Sequence, residues 1–126
     1  MAAKLRGYRD LKVYQLAFSL AMEIFNITKT FPQEERYSLT SQIRRSSRSV
    51  AANLAEGFRK RQYPSMFASK LADSDAEATE TQVWLEFAHG CGYLSEEEQK
   101  RLVSGYGELG KMIGSMMRNP ERFRPQ

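Results

Sequence analysis

The chain has 126 residues, 41% of them hydrophobic and 27% charged, which suits one globular domain with one core and excludes both a disordered tail and a two-domain protein. No apolar run approaches the roughly 18 to 20 residues of a membrane span, and MAAKLRGYRD has no apolar stretch to act as a secretion signal, so the cytoplasm is the expected compartment. A single cysteine, Cys91, excludes an internal disulfide, a single histidine, His89, leaves little for a soft metal site, and the net charge of +4 favours a polyanionic partner without requiring one.

The first nine residues are basic and irregular and are expected to fray, after which Asp10 stands where a helix N-cap belongs. A helix over about residues 10–30 carries two apolar stripes at 100° per residue. One holds Val13, Leu16, Ala17, Leu20, Ile24 and Ile27, and the other holds Leu11, Tyr14, Phe18, Ala21 and Phe25. A bundle helix needs a stripe a little over 100° wide, so the surplus predicts a second buried surface, most simply against another subunit.

Phe31-Pro32 ends that helix, and a second is expected over residues 39–60. Its core stripe is Leu39, Ile43, Ser47, Val50, Leu54 and Phe58, while Arg44, Arg45, Arg48 and Arg59 fall on another face. Asn53, at the edge of the stripe, is expected to hydrogen-bond at an internal seam. Tyr63-Pro64 opens a third helix to about residue 89, with Phe67, Leu71, Ser74, Ala78, Thr81, Leu85 and Ala88 inward and Trp84 and Phe87 off that stripe. Gly90-Cys91-Gly92 is a helix stop, and Ser95 with Glu98 forms a capping box for a fourth helix over 95–118. Its core stripe is Leu102, Tyr106, Leu109, Ile113 and Met116; Asn119-Pro120 ends it, and the tail 119–126 is expected to fray. The pattern is that of an all-α, antiparallel up-and-down four-helix bundle occupying the whole chain as one domain.

Three features test for chemistry. GYGELG, Gly105 to Gly110, matches the dinucleotide fingerprint by letter, but a helical segment precedes it where a strand is needed, so no cofactor is expected. Gly107, Gly110 and Gly114 share a helix face and suggest close backbone packing. Asp73, Asp75, Glu77 and Glu80 lie off the core stripe and lack the histidines of a di-metal bundle, so no metal is expected. His89 and Cys91 share a turn without the third orienting group of a catalytic arrangement, and the chain is not expected to be an enzyme.

The arginines remain. Arg44, Arg45 and Arg48 with Arg59, Lys60 and Arg61 spread positive charge along about 25 Å of helix, at 1.5 Å per residue. One reading is a track for the phosphates of RNA or DNA, salt-sensitive and largely indifferent to sequence. The other is ion pairing within or between subunits, as in a structural or scaffolding homo-oligomer or a protein-interaction module. Tyr14, Phe18, Phe25, Trp84 and Phe87 are the expected oligomer interface.

The segments YRDLKVYQLAFSLA, FPQEERYSLTSQIRRSSRSVAANLAEG and ETQVWLEFAHGCGYLSEEE resemble the bacterial four-helix-bundle proteins called 23S rRNA intervening sequence proteins, over about Tyr8 to Met117. SLTSQIRRSS and NLAEG are the most specific pieces. Val50-Ala51-Ala52-Asn53 stands where this family commonly has isoleucine-proline before the asparagine, which predicts a straighter second helix. The resemblance implies a bundle assembled into a ring of five subunits with no known enzymatic activity. A more distant likeness, to the accessory protein of diversity-generating retroelements, implies nucleic acid and a reverse transcriptase as partners.

Overall fold

Four helices form where the apolar periodicity placed them. The computed structural model describes residues 5–125; of the termini expected to fray, residues 1–4 and Gln126 lie outside the described residues. The helices are α1 (Lys12–Thr28), α2 (Leu39–Arg59), α3 (Pro64–Gly90) and α4 (Glu96–Arg118), with 3₁₀ turns at Tyr8–Asp10, Gln33–Glu35 and Pro120–Phe123. No strand occurs among the described residues.

α1 starts later than Asp10 suggested. Asp10 closes the first 3₁₀ turn instead: its carboxylate accepts the Arg6 backbone N–H at 2.8 Å and faces the Arg6 guanidinium at 3.4 Å. Those bonds hold the Asp10 carboxyl below its ordinary range. Extended Leu11 then takes the N-cap position without a side-chain bond. At the other end α1 stops at Thr28, whose hydroxyl donates back to the Ile24 carbonyl at 2.7 Å. Pro64 opens α3 at its first turn, and Ser95 and Glu98 exchange both bonds of the capping box at the start of α4. Gly92, with φ at +79°, makes the turn between them in a conformation that favours glycine. The tail expected to fray instead forms Pro120–Phe123, with Phe123 packed on Phe67 at 6.0 Å between ring centroids.

α2 packs most extensively on α3, α1 meets α2 and α4, and α3 meets α4, so the four helices close around one core. Arg45 meets Glu80, Val50 meets Ser74 and Glu56 meets Lys70, so positions fall along α3 as they rise along α2. Small side chains make this α2–α3 packing close. Ser46, Ser47, Ser74 and Thr81 are fully buried, and their hydroxyls are bonded: Thr81 donates to Ser46 Oγ and Ser74 donates to the Val50 carbonyl, each at 2.8 Å. Those bonds offset the cost of burying polar groups. Asn53, expected at such a seam, is half-buried and donates within its own helix to the Ser49 carbonyl at 2.9 Å.

The expected core positions, Leu20, Ile24, Ile43, Val50, Leu54, Leu71, Ala78, Leu85, Leu102, Leu109 and Ile113, are all buried. Each large aliphatic side chain contributes about 1.5–3 kcal/mol. The glycine face of α4 differs from expectation. Gly105 is the close approach, since a Cβ there would stand 2.6 Å from Leu20 Cδ2, whereas Gly107 faces open space.

Glu35 ties the α1–α2 loop to the α3–α4 turn. Its carboxylate accepts the Leu39 backbone N–H at 3.3 Å, at the start of α2, and the Tyr93 hydroxyl at 2.9 Å, while Phe31 packs on the Tyr93 ring.

Gly107→Ala should raise stability by about 0.5–1 kcal/mol, because alanine favours helix and meets nothing. Gly105→Leu should lower it by about 1–3 kcal/mol through overpacking against Leu20. Equal shifts for both in denaturant unfolding would contradict the close α1–α4 approach. The hydrogen bond to Glu35 first, then burial and nearby negative charge, pushes Tyr93 up to about 12, from about 10 for a free tyrosine. The raised value belongs to the folded state, so this contribution is complete below about pH 10 and is lost as pH rises through about 12. Glu35→Gln should return the Tyr93 titration toward 10, measured by ultraviolet difference against Tyr93→Phe.

Candidate nucleic-acid interface

Burial of α2 against α1 and α3 leaves its cations a narrow outer strip and the two helix ends, and the six expected binding residues divide accordingly. Arg44 is half-buried and turned toward α1. Its Nε donates to Thr28 Oγ1 at 2.8 Å and Nη2 to the Phe25 carbonyl at 3.5 Å, with the guanidinium over the Phe25 ring at 4.8 Å. It therefore caps the last turn of α1, where positive charge is favourable against the helix dipole. Lys29 covers the same ring at 4.8 Å and Arg48 at 5.8 Å.

Arg45 is exposed and reaches Glu80 at 3.4 Å, and the same carboxylate oxygen accepts the Trp84 indole N–H at 3.2 Å. Asp73 and Asp75 are exposed on the same helix. Arg61 folds back over Phe58 at 3.8 Å and donates to the Phe58 carbonyl at 3.0 Å. Arg48, Arg59 and Lys60 have no carboxylate partner among the described residues. The continuous line of charge expected along α2 is thus interrupted: Arg44, Arg45 and Arg61 make bonds within the fold, and Arg48, Arg59 and Lys60 do not.

A second source of charge was hidden in the termini. Tyr8 of the first 3₁₀ turn lies beside Ala55 near the end of α2, and Phe123 of the last turn lies on Phe67 near the start of α3. The end of the bundle around the α2–α3 connection therefore collects Arg6, Arg9, Arg59, Lys60, Arg61, Lys70, Arg118, Arg122 and Arg124 against Asp10, Glu56 and Glu121. Arg6 pairs with Asp10, and Lys70 with Glu56 at 3.1 Å. Arg9, Arg59, Lys60, Arg118, Arg122 and Arg124 have no carboxylate partner among the described residues. The signal available in the sequence was Pro120 and Phe123, a helix-starting proline and an aromatic anchor inside an otherwise polar tail.

The expected interface residues separate into two surfaces. Tyr14 and Phe18 line a groove of about 370 Å³ between α1 and α2, together with Tyr8, Ala21, Met22, Arg48, Ala51, Ala52 and Ala55. Phe25 lies farther along α1 beneath its three cations. Trp84 and Phe87 stack on each other on α3 at 5.9 Å. Tyr8 and Met22 were not anticipated in the groove. GYGELG is helical throughout within α4 and presents no loop to a phosphate. No helix among the described residues is long and apolar enough to cross a membrane.

A solved structure described as a protein with unknown function from the S23 ribosomal protein family, from Bacteroides thetaiotaomicron VPI-5482, is similar to this chain at 27% identity and a TM-score of 0.75. The match covers 84% of this chain and 95% of that one. No match is found among curated proteins. Residues 9–115 match the family described as 23S rRNA-intervening sequence protein, with all of α1, α2 and α3 and most of α4 inside the match. The chain belongs to the 23S rRNA-intervening sequence protein family.

Proposed function

We propose that this chain is a non-enzymatic, antiparallel up-and-down bundle that assembles with copies of itself and binds RNA or DNA through one basic end. The observation that carries the reading is the collection of unpaired cations around the α2–α3 connection, drawn from both termini and from α2. Exposed arginines and lysines without carboxylate partners lose little when they meet phosphate, and each phosphate neutralised releases counterions. Arg59 and Lys60 contribute from the expected set, and Arg9, Arg118, Arg122 and Arg124 extend it. A single copy that neutralises a few phosphates binds weakly at physiological salt, whereas a ring of linked copies raises the effective concentration for each further one. The intracellular setting and a ring as the assembled form belong to the same reading.

The alternative, a scaffolding oligomer without nucleic acid, is favoured by the internal bonds of Arg44, Arg45 and Arg61. The two differ in which cations matter. Fluorescence anisotropy with RNA and DNA of one length, at several salt concentrations, should show affinity falling steeply with salt and varying little with sequence. Arg59→Glu with Arg122→Glu should weaken binding to all sequences alike and reduce the salt slope by about 1 for each phosphate no longer neutralised. Arg44→Gln should lower stability by about 1–3 kcal/mol, by leaving Thr28 and the Phe25 carbonyl with fewer partners, and change the slope little. No salt-sensitive retention of any nucleic acid at low ionic strength would overturn the reading.

A further inference from the structure

α3 is apolar on two opposite faces. Its inner face gives Phe67, Leu71, Ala78 and Leu85 to the core. At 100° per residue, Ala72, Ala76, Val83 and Phe87 form a second strip on the far side. All four are exposed, Val83 at 40% and Phe87 at 58%. A helix that is apolar on both faces is suited to burial on both, and no described part of this chain covers the outer strip.

The other uncovered apolar surface is the groove between α1 and α2. Tyr14, Phe18 and Met22 line it from α1 and Ala51, Ala52 and Ala55 from α2. Phe18 and Met22 are exposed at 52% and 43%. The short alanine side chains on the α2 side leave room for an inserted ring beside the larger α1 side chains. Charge also matches: Arg48, exposed and without a carboxylate partner among the described residues, lines the groove. Asp73 and Glu86 flank the α3 strip, exposed and without a basic partner among the described residues.

We infer that the α1–α2 groove of one copy receives the outer α3 strip of a second copy. This rests on the self-association proposed above and gives it a direction. The two faces are different, so the arrangement is head-to-tail: each copy offers its groove to one neighbour and its strip to another, and such interfaces close into a ring when the rotation permits. A groove-on-groove interface would bring two Arg48 residues together with no lining acid between them, whereas the groove-on-strip interface sets Arg48 against Asp73 and Glu86.

Mixing tests the pairing. Phe18→Asp damages only the groove and Phe87→Asp only the strip, so each variant alone should sediment as a monomer with its helical spectrum intact. Mixed in equal amounts they should form a two-chain complex and nothing larger, because one intact groove then meets one intact strip. Met22→Arg paired with Ala76→Arg, whose damaged faces repel each other, repeats the experiment at other exposed positions if either aspartate variant unfolds. An assembly that survives Phe87→Asp and Ala76→Arg, or variant mixtures that stay monomeric while the unmodified chain assembles, would overturn the pairing and leave self-association standing. A monomeric unmodified chain would instead remove the self-association on which the pairing rests. Capture of the groove only by an unrelated protein, with no complex in the mixture, would also refute it.

Discussion

Two neighbours close on α2, and most of the molecule follows from that. Leu39, Ile43, Val50, Leu54 and Phe58 face the core, Ser46 and Ser47 are buried with them, and Ala51 lies against α1. A helix enclosed on this much of its circumference has little outer surface left for charge. Its arginines must reach sideways to a neighbouring helix, as Arg44 and Arg45 do, or stand at the ends and the groove edge, as Arg59 and Arg48 do. The closeness comes from small hydroxyl side chains that pair between α2 and α3, where larger residues would push the helices apart.

The same enclosure separates two kinds of surface. Around the α2–α3 connection, positive charge accumulates because both termini fold back there and bring few acids with them. Along α1 and α3, apolar side chains remain outside the core because each helix carries more apolar arc than one interior can use. Arg48 lies in the groove rather than at the basic end, which places it with the apolar surface although the sequence groups it with the binding arginines.

Much of the fold was legible in the sequence. The 3.6-residue periodicity, Pro64, and the Ser95–Glu98 pair fix the helices to within a few residues, because these signals act locally. The misplacements are cases where a local signal had a competing partner. Asp10 is a good N-cap residue, but Arg6 offers both a backbone N–H and a guanidinium to its carboxylate. Gly107 and Gly105 look alike in sequence, and only the position of Leu20 on another helix distinguishes them. The candidate site was less legible for the same reason. Whether an arginine is free depends on residues distant in sequence, such as Thr28 for Arg44 and Glu80 for Arg45, and the grouping of both termini at one end depends on Phe123 meeting Phe67.

We propose a division of labour in which the basic end takes the polyanion and the apolar groove and strip take other copies of the chain. Photo-cross-linking of a bound RNA, with the adducts mapped to peptides, tests that division most directly. The account predicts adducts on the peptides containing Arg59 to Arg61 and Arg118 to Arg124, with the segment Tyr14 to Met22 unlabelled. Adducts concentrated on Phe18, Met22 and Arg48, with the basic end unlabelled, would contradict it.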